Sequence, residues 1–530
     1  MVRTTNDRQI LLLATACALL AGCGGADEIV SPGTGGDITI NNPPAPAPPP
    51  PPPAPTGPVL VTPAAGCPTI ENTTALADRG TITGPTGTYR VCELPALIDR
   101  NTTLTKLPGV LYSMAGRVNV GVDLGKAPVV GETSVTLTIQ PGVIVFANTG
   151  VSWLAVNRGH KINATGTAAL PIIFTSRDNV QGIATDASQG QWGGIVLLGR
   201  APTTDCTVAS NAAPGTVDCE RQTEGSVDPA YFGGATPADN SGTLRYVQIR
   251  YSGYVLSGNS ELQALTLGGV GSGTSISYIQ SHNSSDDAFE NFGGTVSMRR
   301  LVLTGADDDT VDIDTGWQGT VQYVIGVQKD GGAADSMIEL DSANALEAQT
   351  PRTNLKLANF TFVHKNQVAG NAAAILMRGG ADATLVNGIM TTPTSCLRLA
   401  GANMITTDPA IGKIGAPVFR SVAFQCGATP FVGSSGLTAA QVQTAFNPTA
   451  TASVSFTNTL ANVFRPGASE TAFGATDPKT IDPAFDTTAY VGAVRDATDT
   501  WYAGWTCNSA TANFDATGAT GTLCTSLPTN

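Results

Sequence analysis

The sequence predicts an all-β chain wound into a parallel β-helix, and three observations carry that expectation. Helical periodicity is nearly absent along its 530 residues, while short apolar runs rich in β-branched residues alternate with glycine and other turn formers. A Gly-Thr pair recurs ahead of four such runs, at Gly242, Gly273, Gly294 and Gly319, spaced 31, 21 and 25 residues apart. A pair of acids recurs as well: "DDAFE" from Asp286 is followed 22 residues later by "DDTVD" from Asp308. Each coil of a parallel β-helix is one circuit of short strands and turns, stacked on the next so that inward side chains share one core. Insertions at the turns then change the spacing without moving the strands. A β-propeller blade needs ~40 or more residues, too many for this period; a β-sandwich is the remaining alternative.

Residues 1–22 read as a signal peptide. Arg3 and Arg8 flank a polar start, Ile10–Leu20 is an apolar run too short to span a bilayer comfortably, and Leu20-Ala21-Gly22 leads into Cys23. The Leu-Ala-Gly-Cys ending resembles a bacterial lipobox, which implies cleavage before Cys23 and lipidation of that cysteine. Gly24 follows it, where an aspartate would imply retention at the inner membrane, so the resemblance implies the outer membrane, on its periplasmic or cell-surface face. No later segment offers the ~18 consecutive apolar residues of a spanning helix, which leaves the lipid as the expected anchor. Residues 23–66 are the expected tether. Pro43–Pro58 is almost all proline and alanine; proline lacks a donor and fixes φ, so this run should be a stiff polyproline II spacer reaching on the order of 50 Å.

The β-helix is expected over 67–430 and further coils with a cap over 431–530. "VTLTIQPGVIVFA", "WLAVNRGHKINATG", "PIIFTS" and "WGGIVLLG" open it as strands separated by turns, and the Gly-Thr repeat follows. One short helix is expected at Leu437–Pro448, where Thr438 and Gln441 have capping-box spacing and Asn447-Pro448 is a stop. Eight cysteines remain after Cys17 and Cys23 are set aside, in neighbouring couples: Cys67 and Cys92, Cys206 and Cys219, Cys396 and Cys426, Cys507 and Cys524. Four local disulfides are the simplest reading for an oxidising compartment, and the last would pin the C-terminal region. With no CxxC and three histidines, a metal cage is the weaker alternative. Trp501 and Trp505 are expected to close the C-terminal end of the core.

"LTIQPGVIV", "LAVNRGHKINATGTAALPIIFTS", "WGGIVLLGRAP", "LRYVQIRYSGY", "LQALTLGGVGSGT", "DDAFENFGGTV" and "AYVGAVRDATDTWYAGWT" run from about Leu137 to Thr506. Together they resemble a family of bacterial envelope lipoproteins with a right-handed parallel β-helix of the pectate-lyase-like class. The resemblance implies a neighbourhood of TonB-dependent outer-membrane receptors, and so a role in capturing a nutrient at the surface. Gln367–Thr480 matches that pattern less well.

Chemistry is narrower. The formal charge is −13 and only 13% of residues are charged, which excludes the basic patches that nucleic acid requires. Aligned on the paired acids, Asp286 falls with Asp308, Asp287 with Asp309 and Glu290 with Asp312; Asp314 follows, and "AADSMIELDS" offers Asp335 and Glu339 as a third copy. Coils stack about 4.8 Å apart, so these carboxylates form a column whose like charges raise one another's pKa. Calcium, a hard cation taking 6–8 oxygens, is the specific expectation for Asp286, Asp287, Glu290, Asp308, Asp309, Asp312 and Asp314; a solvated row of turn aspartates bonded to backbone amides is the bland one. A calcium-dependent polysaccharide lyase or a glycosidase is the alternative to a binding or structural role. Stacked Asp287 and Asp309 suit the two-carboxylate geometry, with His282, Arg250, Arg299 or Arg300 as helpers, although the Gly-His-Gly and Arg-Ile-Lys motifs of β-helix polygalacturonases are missing. His160 reads as an exposed turn residue. Trp192 and Trp317 read as core or, less simply, as sugar platforms. No zinc, nucleophile-elbow or phosphate-loop spacing occurs.

Overall fold

The strands that follow the four Gly-Thr pairs hydrogen-bond to one another in parallel: Gly242–Arg250 with Ser275–His282, that strand with Met298–Thr304, and the latter with Gln318–Val327. The computed structural model describes residues 60–257, 260–342, 345–365, 373–446, 451–514 and 523–529. The expected signal segment, Cys23, the proline run and the Asn447-Pro448 stop lie outside them. Two ladders build the body, one sheet of 16 strands and one of 11, and from Gly242 onward their strands alternate in sequence between the two. The parallel β-helix is therefore present. Between residues 431 and 453 the ladders continue with Phe431–Ser434 and Ala452–Ser453.

The coil has a third face, made by a bend. Gly242–Arg245 pairs with the strand Lys161–Thr165, whereas Val247–Ile249, in the same strand, pairs with Ile172–Ser176. The corner between the halves is Tyr246. Its equivalents in register are Tyr278, Arg300, Tyr323, Asn359, Asn387 and Ser421, all with φ between 50° and 65°. Side chains rarely adopt that left-handed conformation, so seven in a row mark one structural device repeated per coil. Inside, rows such as Leu244, Ile276, Met298, Val321, Leu357 and Leu385 stack into a single buried core. Trp192 and Trp317 are fully buried in it, which rules them out as sugar platforms.

All four neighbouring cysteine couples are disulfides: Cys67–Cys92, Cys206–Cys219, Cys396–Cys426 and Cys507–Cys524. The expected helix is Ala439–Phe446, and its capping box forms, with the Gln441 N–H on Thr438 Oγ1 and the Thr438 N–H on Gln441 Oε1. Two more short helices, Arg177–Gln181 and Ala468–Thr471, were not expected. They are turn insertions too short to show a period. Residues 61–64, assigned to the tether from composition, are instead bonded to the first coil: the Val61 N–H reaches Thr86 O at 3.0 Å and Arg90 Nε reaches Ala64 O at 3.0 Å.

The largest departure concerns the C-terminus. Trp501 and Trp505 do not close the end of the core. Beyond Phe456 the chain returns along the outside of the first sheet, towards the N-terminal coils. Amide side chains on successive coils hold its backbone. Asn387 bonds Thr476 N and O, Gln322 bonds Asp486 N and O, and Gln280 bonds Cys507 N and O. Asn359 holds Tyr490 O, and Gln248 holds Trp505 O. Paired donor and acceptor on one amide imitate a neighbouring strand, so the returning segment satisfies its backbone without joining a ladder.

Candidate functional site

The acids gather on the second sheet and on the turn that leads into it. Glu290–Phe292 lies parallel to Asp312–Asp314, with Glu290 opposite Asp312 and Phe292 opposite Asp314; Asp312 is in turn opposite Glu339. Alternate strand residues share a face. Ile313 and Leu340 point into the core, so Glu290, Asp312 and Glu339 form one outward row, with Asp314 and Asp341 in the next.

The turn acids divide in two. Asp287 Oδ1 accepts the Asp309 N–H at 2.8 Å, and Asp309 Oδ1 accepts the Ser336 N–H at 2.8 Å. That stitch passes from coil to coil and explains why an aspartate recurs there. The other carboxylate oxygens converge instead. Oxygens of Asp286, Asp287 and Asp308 lie within 4.8 Å of one another, and so do oxygens of Asp287, Glu290 and Asp312. Asp287 belongs to both sets. They line a cleft of about 320 Å³ whose other walls include Glu224, Glu261, Gln263 and Ser285.

The chain's own cations stop at the rim. Arg378 pairs with Glu339 at 2.5 Å and with Asp341 at 2.6 Å, and Lys329 pairs with Asp307 at 2.7 Å. Among the described residues no lysine or arginine is ion-paired with Asp286, Asp287, Glu290, Asp308, Asp309, Asp312 or Asp314. Gln263 donates to Asp286 at 3.2 Å, and Asp312 Oδ1 is buried without a partner. Burial first, and neighbouring carboxylates second, push Asp287, Glu290, Asp309 and Asp312 well above the usual carboxylate range. Asp286 is pushed up to about 7 by burial and by Asp308, and Asp314 to about 6 by burial and by Asp341. Such a group must hold protons or a cation. The donors are all carboxylate and amide oxygens, which suits a hard divalent ion such as calcium rather than zinc or copper.

The helpers named from sequence lie elsewhere. His282 is fully buried, its Nδ1 2.9 Å from Thr304 Oγ1, and burial together with the Arg250 and Lys329 charges pushes it down to about 3. Arg250 is buried under the returning segment, donating to Cys524 O at 2.9 Å and Ser526 O at 2.8 Å. Arg299 pairs with Asp486 at 2.8 Å, and Arg300 stacks between Tyr278 and Tyr323. His160 is buried too: it accepts the Val135 N–H at 2.9 Å and bonds Val122 O at 2.6 Å. The returning segment accounts for Arg250 and Arg299, whereas His160 is buried by the neighbouring turn residues Val122 and Val135 that bond its ring.

Sequence reasoning missed Glu224, Glu261, Gln263, Asp341 and Arg378. Asp341 lay in the third acidic copy, two residues past Glu339, where alternation would have found it. Glu224 and Glu261 come from irregular insertions beside short hairpins, which carry no period. Arg378 ends a fully apolar strand, Ala373–Met377, and gives no local sign that it faces acids.

No curated protein and no solved structure matches the chain. Residues 124–506 match a family described as the pectate-lyase like beta helix domain. That span takes in the acidic cleft, most of both ladders and the aromatic part of the returning segment, and on it the chain belongs to the pectate-lyase-like β-helix family.

Proposed function

We propose that this protein is a lipid-anchored component of the bacterial outer membrane whose β-helix binds calcium in the acidic cleft. Through the ion it holds an oxygen-rich ligand, a polysaccharide or other nutrient, for presentation to a TonB-dependent receptor. One observation carries the metal: two sets of converging carboxylates share Asp287, while the Arg378 guanidinium at the rim is paired with Glu339 and Asp341. Asp286, Asp287, Asp308, Glu290 and Asp312 are the ligands in this account; Asp309 serves the backbone behind them, and Asp314 extends the field. Isothermal titration of the purified protein with calcium tests it. The reading requires binding heat and a raised melting temperature, both weakened by Asp286→Asn. Silence in both would remove it. Attachment through Cys23 requires incorporation of labelled fatty acid that Cys23→Ser abolishes.

A second reading, a calcium-dependent polysaccharide lyase or a glycosidase, draws on Asp286. A carboxyl raised to about 7 is a usable proton donor at neutral pH. Release of unsaturated or reducing ends from a polysaccharide panel, lost in Asp286→Asn, would establish turnover; binding without release supports presentation.

A further inference from the structure

Among the described residues the last coil of the β-helix is only partly covered, and a cavity opens where the cover stops. Val418–Gln425 pairs along one edge with Asp382–Thr391, whereas the strand on its other edge, Ala452–Ser453, reaches Val422 and Ala423 alone. The helix Ala439–Phe446 closes the core beside that gap, with the Phe446 ring 4.7 Å from Phe419 and 5.5 Å from Phe431. Between the helix and residues 416–420 lies a cavity of about 470 Å³, within the ~300–1,000 Å³ of small-molecule sites. Its walls are apolar. Ile405, Val418 and Ala445 are half-buried on them, and Pro417, Phe419 and Phe446, more deeply buried, complete them.

The rim carries one charge. Arg420 is exposed, and no acid lines the cavity with it. Among the described residues Arg420 has no ion-pair partner, and Asp382, on the strand alongside, is taken by Arg352 at 3.1 Å. Gln441 accepts the Thr438 N–H and hydroxyl on Oε1, at 2.9 Å each, which leaves its amide NH2 as a further donor.

These features select a ligand. A single guanidinium answers a single charge, and its fork fits a planar carboxylate. A phosphate, at about −1.5 to −2, calls for a second cation that the rim lacks. A sugar would set its hydroxyls against alkyl walls without partners. An added peptide strand fits less well too, because Pro417 has no N–H to offer at the open edge.

We propose that this end cavity binds a small amphipathic monocarboxylate, its alkyl chain against Ile405, Val418 and Ala445 and its carboxylate on Arg420 beside the Gln441 amide. The site needs no metal ion and shares no residue with the acidic cleft.

Isothermal titration of the purified full-length protein, in EDTA, with octanoate, octanol and octyltrimethylammonium as dissolved monomers tests it. Octanoate should bind, octanol about tenfold more weakly for want of the charge, and the cation not at all. Arg420→Gln should lower octanoate affinity by about tenfold and leave octanol binding and the melting temperature unchanged. Arg420→Lys should keep part of the affinity, as a point charge without the fork. The octanoate and octanol comparison on the unaltered protein decides the matter even where a variant misfolds. No octanoate binding, equal affinity for octanol, or octanoate affinity within twofold in Arg420→Gln would overturn the proposal. Binding that appears only with calcium, or to phosphatidylglycerol vesicles but not to octanoate, would overturn it as well.

Discussion

Arg378 Nη2 stands 2.5 Å from Glu339 Oε1, while Asp312, opposite Glu339 in the next strand, has a buried Oδ1 with no partner. Within one outward row, the protein thus supplies its own cation at one coil and leaves the adjacent coils to something else. That contrast is the ground for proposing a metal site over a solvated acidic turn, with Asp287, Glu290 and Asp309 buried behind it.

Arg378→Gln should expose the dependence on that guanidinium. The pair is partly exposed, so the loss in metal-free protein is about 1 kcal/mol. Calcium should restore part of it by occupying the vacated end of the row, seen as a larger calcium-induced rise in melting temperature than in wild type.

Asp287→Asn removes one charge shared by both carboxylate sets but keeps an oxygen for the Asp309 N–H. Metal-free protein should become more stable, because one buried like charge is gone. Calcium affinity should fall by about tenfold or more, judged from the loss of a charged ligand. Chemical denaturation and calorimetry read the two effects separately.

The pH dependence has a definite sign. Asp314 at about 6 and Asp286 at about 7 are raised by folding, so between the unfolded carboxylate value of about 4 and those values the native state holds more protons than the unfolded one. Their contribution to stability is present at low pH and lost as pH rises through 6 and 7. Metal-free protein should therefore melt at a lower temperature at pH 8 than at pH 5. Calcium should flatten or reverse that slope.

Gln280→Ala tests the returning segment. It leaves the Cys507 N–H and carbonyl, bonded at 2.8 and 2.9 Å, without their amide, and two buried groups so exposed cost about 2–3 kcal/mol. Hydrogen exchange should rise along 486–507 while the strands beneath stay protected.

The part of the fold that repeats was legible because a coil reuses its own chemistry. Gly-Thr at the start of four successive coils, and an aspartate stitched to the next coil's backbone at Asp287 and Asp309, leave a period that sequence alone displays. The cysteine couples were legible because each closes a short stretch of one region. The return of the C-terminus was not, because Gln248, Gln280, Gln322, Asn359 and Asn387 look like ordinary outward polar residues until something lies on them. Arg250 was misplaced for the same reason: it faces outward from its strand, but the C-terminal residues Cys524 and Ser526 cover it. The site was half legible. Its column of acids followed from the 22-residue offset, whereas its rim, Glu224, Glu261 and Arg378, is assembled from insertions and a distant strand.

Crystals grown with calcium and measured for anomalous scattering test the central claim most directly. The account predicts an ion among Asp286, Asp287 and Asp308, or among Asp287, Glu290 and Asp312, with carboxylate oxygens at about 2.3–2.6 Å. A cleft without an anomalous peak at saturating calcium, its carboxylates hydrogen-bonded to one another through shared protons, would contradict it.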